Sequence, residues 1–131
     1  DVLGPGNHGT TFGGNPLAMR AGIETLRIMV EDGLVDNAAA MGERLTTALR
    51  RELAGVKGVV EIRGQGLMLG IELARPCGEL LGRAAKAGLL ISVTADTVVR
   101  LLPPLIISPA EVDEIVRILA PLIRGFLAAG A

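Results

Sequence analysis

The run His8-Gly9-Thr10-Thr11-Phe12-Gly13-Gly14-Asn15-Pro16 gathers the side chains of greatest chemical use in this sequence. Two adjacent hydroxyls, flanking glycines and the start of a helix supply donors, room for close backbone approach and a favourable dipole, which together suit a phosphate. The same residues also suit a glycine-rich turn whose threonines bond their own backbone. Arg100 is the second position of interest, a permanent cation inside an aliphatic run over residues 98–102, where a charge needs a partner. Strand alternation puts it on the face opposite Val99 and Leu101, which equally suits a solvent-facing strand residue.

The remaining reactive residue types offer less. His8 is the only histidine, so a metal centre or a Ser-His-Asp array would have to be built around one loop residue. Lys57 falls in a glycine-flanked turn, and Lys86 in the last turn of a predicted helix, where it complements the helix dipole. Neither has the desolvated pocket that an amine nucleophile requires. Gly64-Gln65-Gly66 lacks the third glycine and the following helix of a dinucleotide fingerprint. Cys77 is the only cysteine, which excludes an internal disulfide framework and multi-cysteine zinc sites.

The elements that must position these residues follow from periodicity and punctuation. Residues 1–14 hold five glycines and a proline and are expected to form an extended loop. Asn15 caps the first helix, Pro16 takes its first position, and Met19, Ile23, Leu26 and Val30 repeat on one face before Gly33 ends it. Arg20–Glu24 and Arg27–Glu31 are spaced as i,i+4 pairs on another face. A second helix is expected over residues 36–53, strands over 59–62 and 68–73 joined by a turn at Gly64-Gln65-Gly66, and a helix over 78–87. Strands over 89–93 and 98–102 come next. Ser108-Pro109-Ala110-Glu111 is a capping box opening a last helix with an apolar stripe from Val112 to Phe126. The order predicts an α/β chain of α+β type, a small and mostly antiparallel sheet with helices on one face.

Composition sets the outer limits. The 131 residues carry 13 Lys plus Arg against 14 Asp plus Glu, a net charge of −1, with 50% hydrophobic residues. The mean hydropathy of +0.50 allows a sizeable core and excludes intrinsic disorder. A near-neutral balance with no Trp, no Tyr and only two Phe gives neither the basic footprint nor the aromatic platform of a nucleic-acid binder. The most apolar run, residues 101–107, is broken by Pro103 and Pro104 and is far below the ~18 residues of a membrane span. No signal-peptide pattern is present, so a reducing, cytoplasmic setting is expected. The opening without Met, in loop-like sequence, and the apolar excess both lead to the expectation of a piece cut from something longer.

The segment from His8 to Ala18 closely resembles a signature of class III aminotransferases, which depend on pyridoxal 5'-phosphate (PLP). Residues 98–107 resemble the C-terminal strand of the same family, and residues 63–72 the first strands of its small domain. With the segment Val93-Thr94-Ala95-Asp96, the sequence is most similar to the acetylornithine branch, and the similarity runs the length of the chain. The resemblance implies the C-terminal third of a homodimeric fold-type-I enzyme: a phosphate-contacting loop (1–14), a connecting helix (15–32) and a small domain (33–131). It also implies that the Schiff-base lysine, the aspartate on the pyridine nitrogen and the aromatic stacked on the ring lie upstream, so that these 131 residues alone are inactive. Thr11, with Thr10 beside it, matches the threonine that reaches the partner subunit's PLP phosphate. Arg100 matches an active-site arginine near a glutamate or a substrate carboxylate. The implied reaction moves an amino group from N-acetylornithine to 2-oxoglutarate, with ornithine, 4-aminobutyrate and succinyldiaminopimelate as competing donors. A stand-alone, non-catalytic dimerisation or regulatory module is the alternative of another class.

Overall fold

Local sequence signals set the first helix. In the computed structural model, which describes Gly4, Gly6 and residues 8–129, α1 spans Pro16–Glu31. The Asn15 side chain accepts from Ala18 N at 3.0 Å, and Pro16 occupies the first turn, where no intrahelical donor is needed. Gly33 follows with φ +62°, a conformation that ends a helix cheaply only for glycine. Arg27 bridges both Glu24 and Glu31. The expected Arg20–Glu24 pair is not formed, because the Glu24 carboxylate is taken by Arg27 one turn away. No residue of α1 is buried, and Met19, Ile23, Leu26 and Val30 are each more than half exposed. Residues 1–34 form one compact unit and 35–131 another; the part of the expected 1–14 loop at residues 1–3, 5 and 7 lies outside the described residues, as do 130 and 131.

The second unit is an α+β layer. Its elements are α2 (Leu34–Glu52, whose first residue lies at the unit boundary), β1 (Val59–Gln65), β2 (Met68–Leu73), α3 (Glu79–Lys86), β3 (Ser92–Thr94), β4 (Val98–Leu101) and α4 (Pro109–Ala128). The strands form one sheet in the order β1-β2-β4-β3, with every pairing antiparallel. Alternation along the strands buries Leu69, Ile71, Leu73, Val99 and Leu101 on one face. These residues share a core with Leu45 and Leu49 of α2, Leu80 of α3, and Val112, Leu119, Ile123 and Phe126 of α4, so the helices of this unit cover a single face of the sheet. The predicted capping box opens α4: Glu111 N donates to Ser108 Oγ at 3.3 Å and Ser108 N donates to Glu111 Oε2 at 2.8 Å. Among the described residues no helix is long and apolar enough to cross a membrane.

Two details differ from the expectations, the β1–β2 turn and the extent of β3. β1 runs on through Gly64 and Gln65, and the chain reverses at Gly66-Leu67 instead. Gly64 pairs within the strand and must be glycine there, since a Cβ would come within 2.4 Å of Met68 O, while Gly66 takes φ +53° at the first position of a two-residue hairpin loop. β3 covers only residues 92–94 rather than 89–93, since only Ser92, Val93 and Thr94 have partners on β4. The β3–β4 turn holds Ala95 and Asp96 at φ 48° and 59°, left-handed conformations without a glycine. Two external hydrogen bonds stabilise this turn, Cys77 N to Asp96 O and Leu73 N to Thr97 O, both 2.9 Å.

Candidate functional site

The glycine-rich loop is organised by its own side chains. Gly13 N donates to Thr10 Oγ1 at 3.2 Å, and the Thr10 methyl lies where a Cβ on residue 13 would be only 2.2 Å away. Gly14 takes φ +78°, and Asn15 Nδ2 donates to the Phe12 carbonyl at 2.5 Å. Thr10 therefore acts as a turn residue, with its hydroxyl accepting from the Gly13 backbone N–H. Thr11 is exposed, and its hydroxyl has no partner among the described residues. Around it, a Cβ built on Gly9 or Gly14 meets nothing within 4 Å. A free hydroxyl donor beside open glycine backbone fits the edge of a phosphate group, so this loop suits the cofactor that the resemblance implies.

Arg100 stands on the open face of the sheet, opposite the buried Val99 and Leu101. Strand register sets Arg63, Gly70, Arg100 and Ser92 side by side across β1, β2, β4 and β3. Arg63 contacts Glu61 at 2.6 Å and Glu72 at 2.5 Å, which offsets the repulsion of two glutamates paired directly across the strands. These carboxylates hold the Arg63 guanidinium further toward its charged form, through the Glu72 hydrogen bond first. Arg100 makes no ion pair among the described residues; its Nε donates to Ser92 Oγ at 3.1 Å. Gly70, between the two arginines, adds no side chain of its own, and Val98 Cγ1 lies 3.1 Å from where its Cβ would be. A shallow depression of about 280 Å³ lies there, with Arg63, Thr94, Val98 and Arg100 in its lining. Thr10 and Thr11 belong to the first unit and Arg100 to the second.

Sequence reasoning missed Ser92, although a short hairpin between strands ending near Thr94 and beginning near Val98 would have placed it opposite Arg100. Lys57 lies in the turn before β1, and Lys86 in the last turn of α3 together with Arg83. Cys77 is buried, and burial pushes its thiol up, away from the reactive thiolate.

Known proteins share both the sequence and the architecture. Residues 1–123 match the family model described as Aminotransferase class-III. The chain is 61% identical over 127 residues to acetylornithine aminotransferase 1 of Bordetella bronchiseptica, covering 97% of this chain and 32% of that protein. It thus spans about a third of the length of the curated relatives it matches. Among solved structures, ornithine delta-aminotransferase of Plasmodium falciparum superposes with a TM-score of 0.84 at 33% identity, over 96% of this chain and 33% of that one. The Toxoplasma gondii ornithine aminotransferase, described with partial occupancy of PLP at its active site, gives 0.82 at 36% identity, over 95% of this chain and 31% of that one. Matching runs from the threonine-glycine loop through the strand that carries Arg100 and most of α4, and the chain belongs to the class-III aminotransferase family.

Proposed function

We propose that these residues are the C-terminal part of a longer, homodimeric, PLP-dependent aminotransferase of the cytoplasm, acting in arginine biosynthesis. In this reading N-acetylornithine gives up its amino group and 2-oxoglutarate receives it. The observation that carries the donor assignment is the 61% identity to an acetylornithine aminotransferase along nearly the whole chain. Ornithine is the second reading, favoured by the ornithine aminotransferases among the structural neighbours.

Within that enzyme residues 1–14 form the phosphate-contacting loop, 15–32 a connecting helix and 33–131 the small domain. PLP, when bound, supplies the electron sink that amino-group transfer needs. Thr11 offers its free hydroxyl to the cofactor phosphate of the partner subunit. Thr10 keeps the turn that presents Thr11 and adds a second, weaker contact. Arg100 offers a planar, permanently charged fork to a substrate carboxylate, orienting the acid in the site. The Schiff-base lysine comes from the rest of the enzyme.

The experiment is a donor comparison on the intact enzyme, with N-acetylornithine, ornithine, 4-aminobutyrate and succinyldiaminopimelate each offered with 2-oxoglutarate. The highest kcat/KM is expected for N-acetylornithine; a preference for ornithine would move the assignment to the second reading, and no transfer from any donor would refute the activity. In the same enzyme Arg100→Lys is expected to lower kcat/KM in at least one half-reaction without a matching fall in melting temperature. Normal kinetics with both amino donor and oxo acid would return Arg100 to an ordinary strand residue.

A further inference from the structure

We infer that Ser92 is a positioning residue that fixes which edge of the Arg100 guanidinium meets a carboxylate; this rests on Arg100 being the carboxylate-binding cation. Ser92 and Arg100 are register partners across the β3–β4 hairpin. Arg100 Nε donates to Ser92 Oγ at 3.1 Å, and the Ser92 hydroxyl in turn donates to the Arg100 backbone carbonyl at 3.4 Å. A serine hydroxyl has one proton and two lone pairs. With the proton directed at the carbonyl, a lone pair faces Nε, and the two contacts close a ring that restrains both side chains.

A guanidinium presents two forked edges, one formed by Nε with a terminal nitrogen and one by the two terminal nitrogens. Ser92 occupies the first. The second is unpaired among the described residues, and Arg100 lines the depression that runs past Gly70 and Val98 toward Arg63. Arg63, the other cation of the row, is already held by Glu61 and Glu72. A planar carboxylate is therefore taken end-on by the two terminal nitrogens of Arg100. Without Ser92 the Nε edge is released, a side-on pose competes, and the acid shifts relative to the reacting atoms.

The test uses steady-state kinetics of the intact enzyme carrying Ser92→Ala, Ser92→Thr, Arg100→Lys, or Ser92→Ala with Arg100→Lys. Ser92→Ala is expected to raise KM for the carboxylate substrate that Arg100→Lys identifies by about 3- to 10-fold, with kcat little changed. Ser92→Thr keeps the hydroxyl and is expected to restore wild-type KM. In the Arg100→Lys background Ser92→Ala is expected to add nothing, since lysine has no Nε fork to steer. An unaltered KM in Ser92→Ala beside an impaired Arg100→Lys, an equal rise in the Ala and Thr variants, or additive effects in the double variant would each overturn the role of Ser92. Normal kinetics for Arg100→Lys would instead take away the carboxylate reading itself, and this inference with it.

Discussion

Gly42 lies in the middle of α2, a position where alanine normally strengthens a helix by about 0.5–1 kcal/mol. Here the substitution is expected to do the opposite. A Cβ on residue 42 would lie 2.1 Å from Gly66 O, 2.4 Å from Gly66 C and 2.8 Å from Gly66 Cα. An ordinary carbon–oxygen contact is about 3.3 Å, so helix and hairpin loop must part by roughly 1.2 Å. All three obstructing atoms are backbone, so no rotamer change relieves them. Leu45, one turn along α2, and Leu67, beside Gly66 in the loop, are both buried and would lose contact as the gap opens. Overpacking of this kind costs about 1–3 kcal/mol and occasionally more. Set against the helix gain, Gly42→Ala is expected to destabilise by about 1–2 kcal/mol. Gly125→Ala in α4 is the control, because a Cβ there meets nothing within 4 Å; it is expected to stabilise by about 0.5–1 kcal/mol. Equilibrium urea unfolding measures both. A Gly42→Ala midpoint at or above wild type, with an unchanged m-value, would refute the close approach of α2 to the β1–β2 loop.

Ser108→Ala is expected to cost about 1 kcal/mol of stability through the lost helix cap, measured by the same unfolding assay. The Ser108 backbone N–H, and then its hydroxyl, hold the Glu111 carboxyl below the usual range, and Arg44 does the same for Asp113. Their contribution is fully present above the unfolded carboxylate pKa and is lost as pH falls through the lowered folded values, so acid titration should show stability declining below about pH 5, and Ser108→Ala, which removes the hydroxyl but keeps the backbone N–H, should make that decline slightly shallower. The isolated chain is expected to self-associate or to exchange amides rapidly in residues 15–31, since a few hundred Å² of exposed α1 surface, at about 25 cal/mol per Å², favours association by several kcal/mol. Light scattering showing a strict monomer, with α1 as protected as α4, would contradict this.

What could be read in advance was local chemistry. Asn15-Pro16 and the Ser108–Glu111 box specify helix starts within four residues, and both caps are present. The strand alternation that exposes Arg100 is equally local. What stayed hidden depends on partners distant in sequence. A glycine at 42, 64 or 66 looks the same on paper, but one makes room for a loop, one for the neighbouring strand, and one turns the chain. Ala95 and Asp96 carry no glycine signal because their left-handed turn is held by the backbone of Leu73 and Cys77. Glu24 lies within reach of two arginines, and spacing alone does not say which one it binds. At the site, the division between Thr10 as turn residue and Thr11 with a free hydroxyl is set by how the loop folds back on itself, and the pairing of Ser92 with Arg100 by strand register.

The proposed role of Thr11, in the loop before α1, is contact with a cofactor phosphate. Its most direct test is the PLP dissociation constant of the intact enzyme beside that of Thr11→Ala, with circular dichroism to show that the fold is unchanged. Losing a hydrogen bond to a charged group costs roughly 1.5–3 kcal/mol, so the variant is expected to release PLP about 10- to 150-fold more readily, and Thr10→Ala is expected to lose less. Equal dissociation constants for wild type and Thr11→Ala would remove the phosphate role from Thr11.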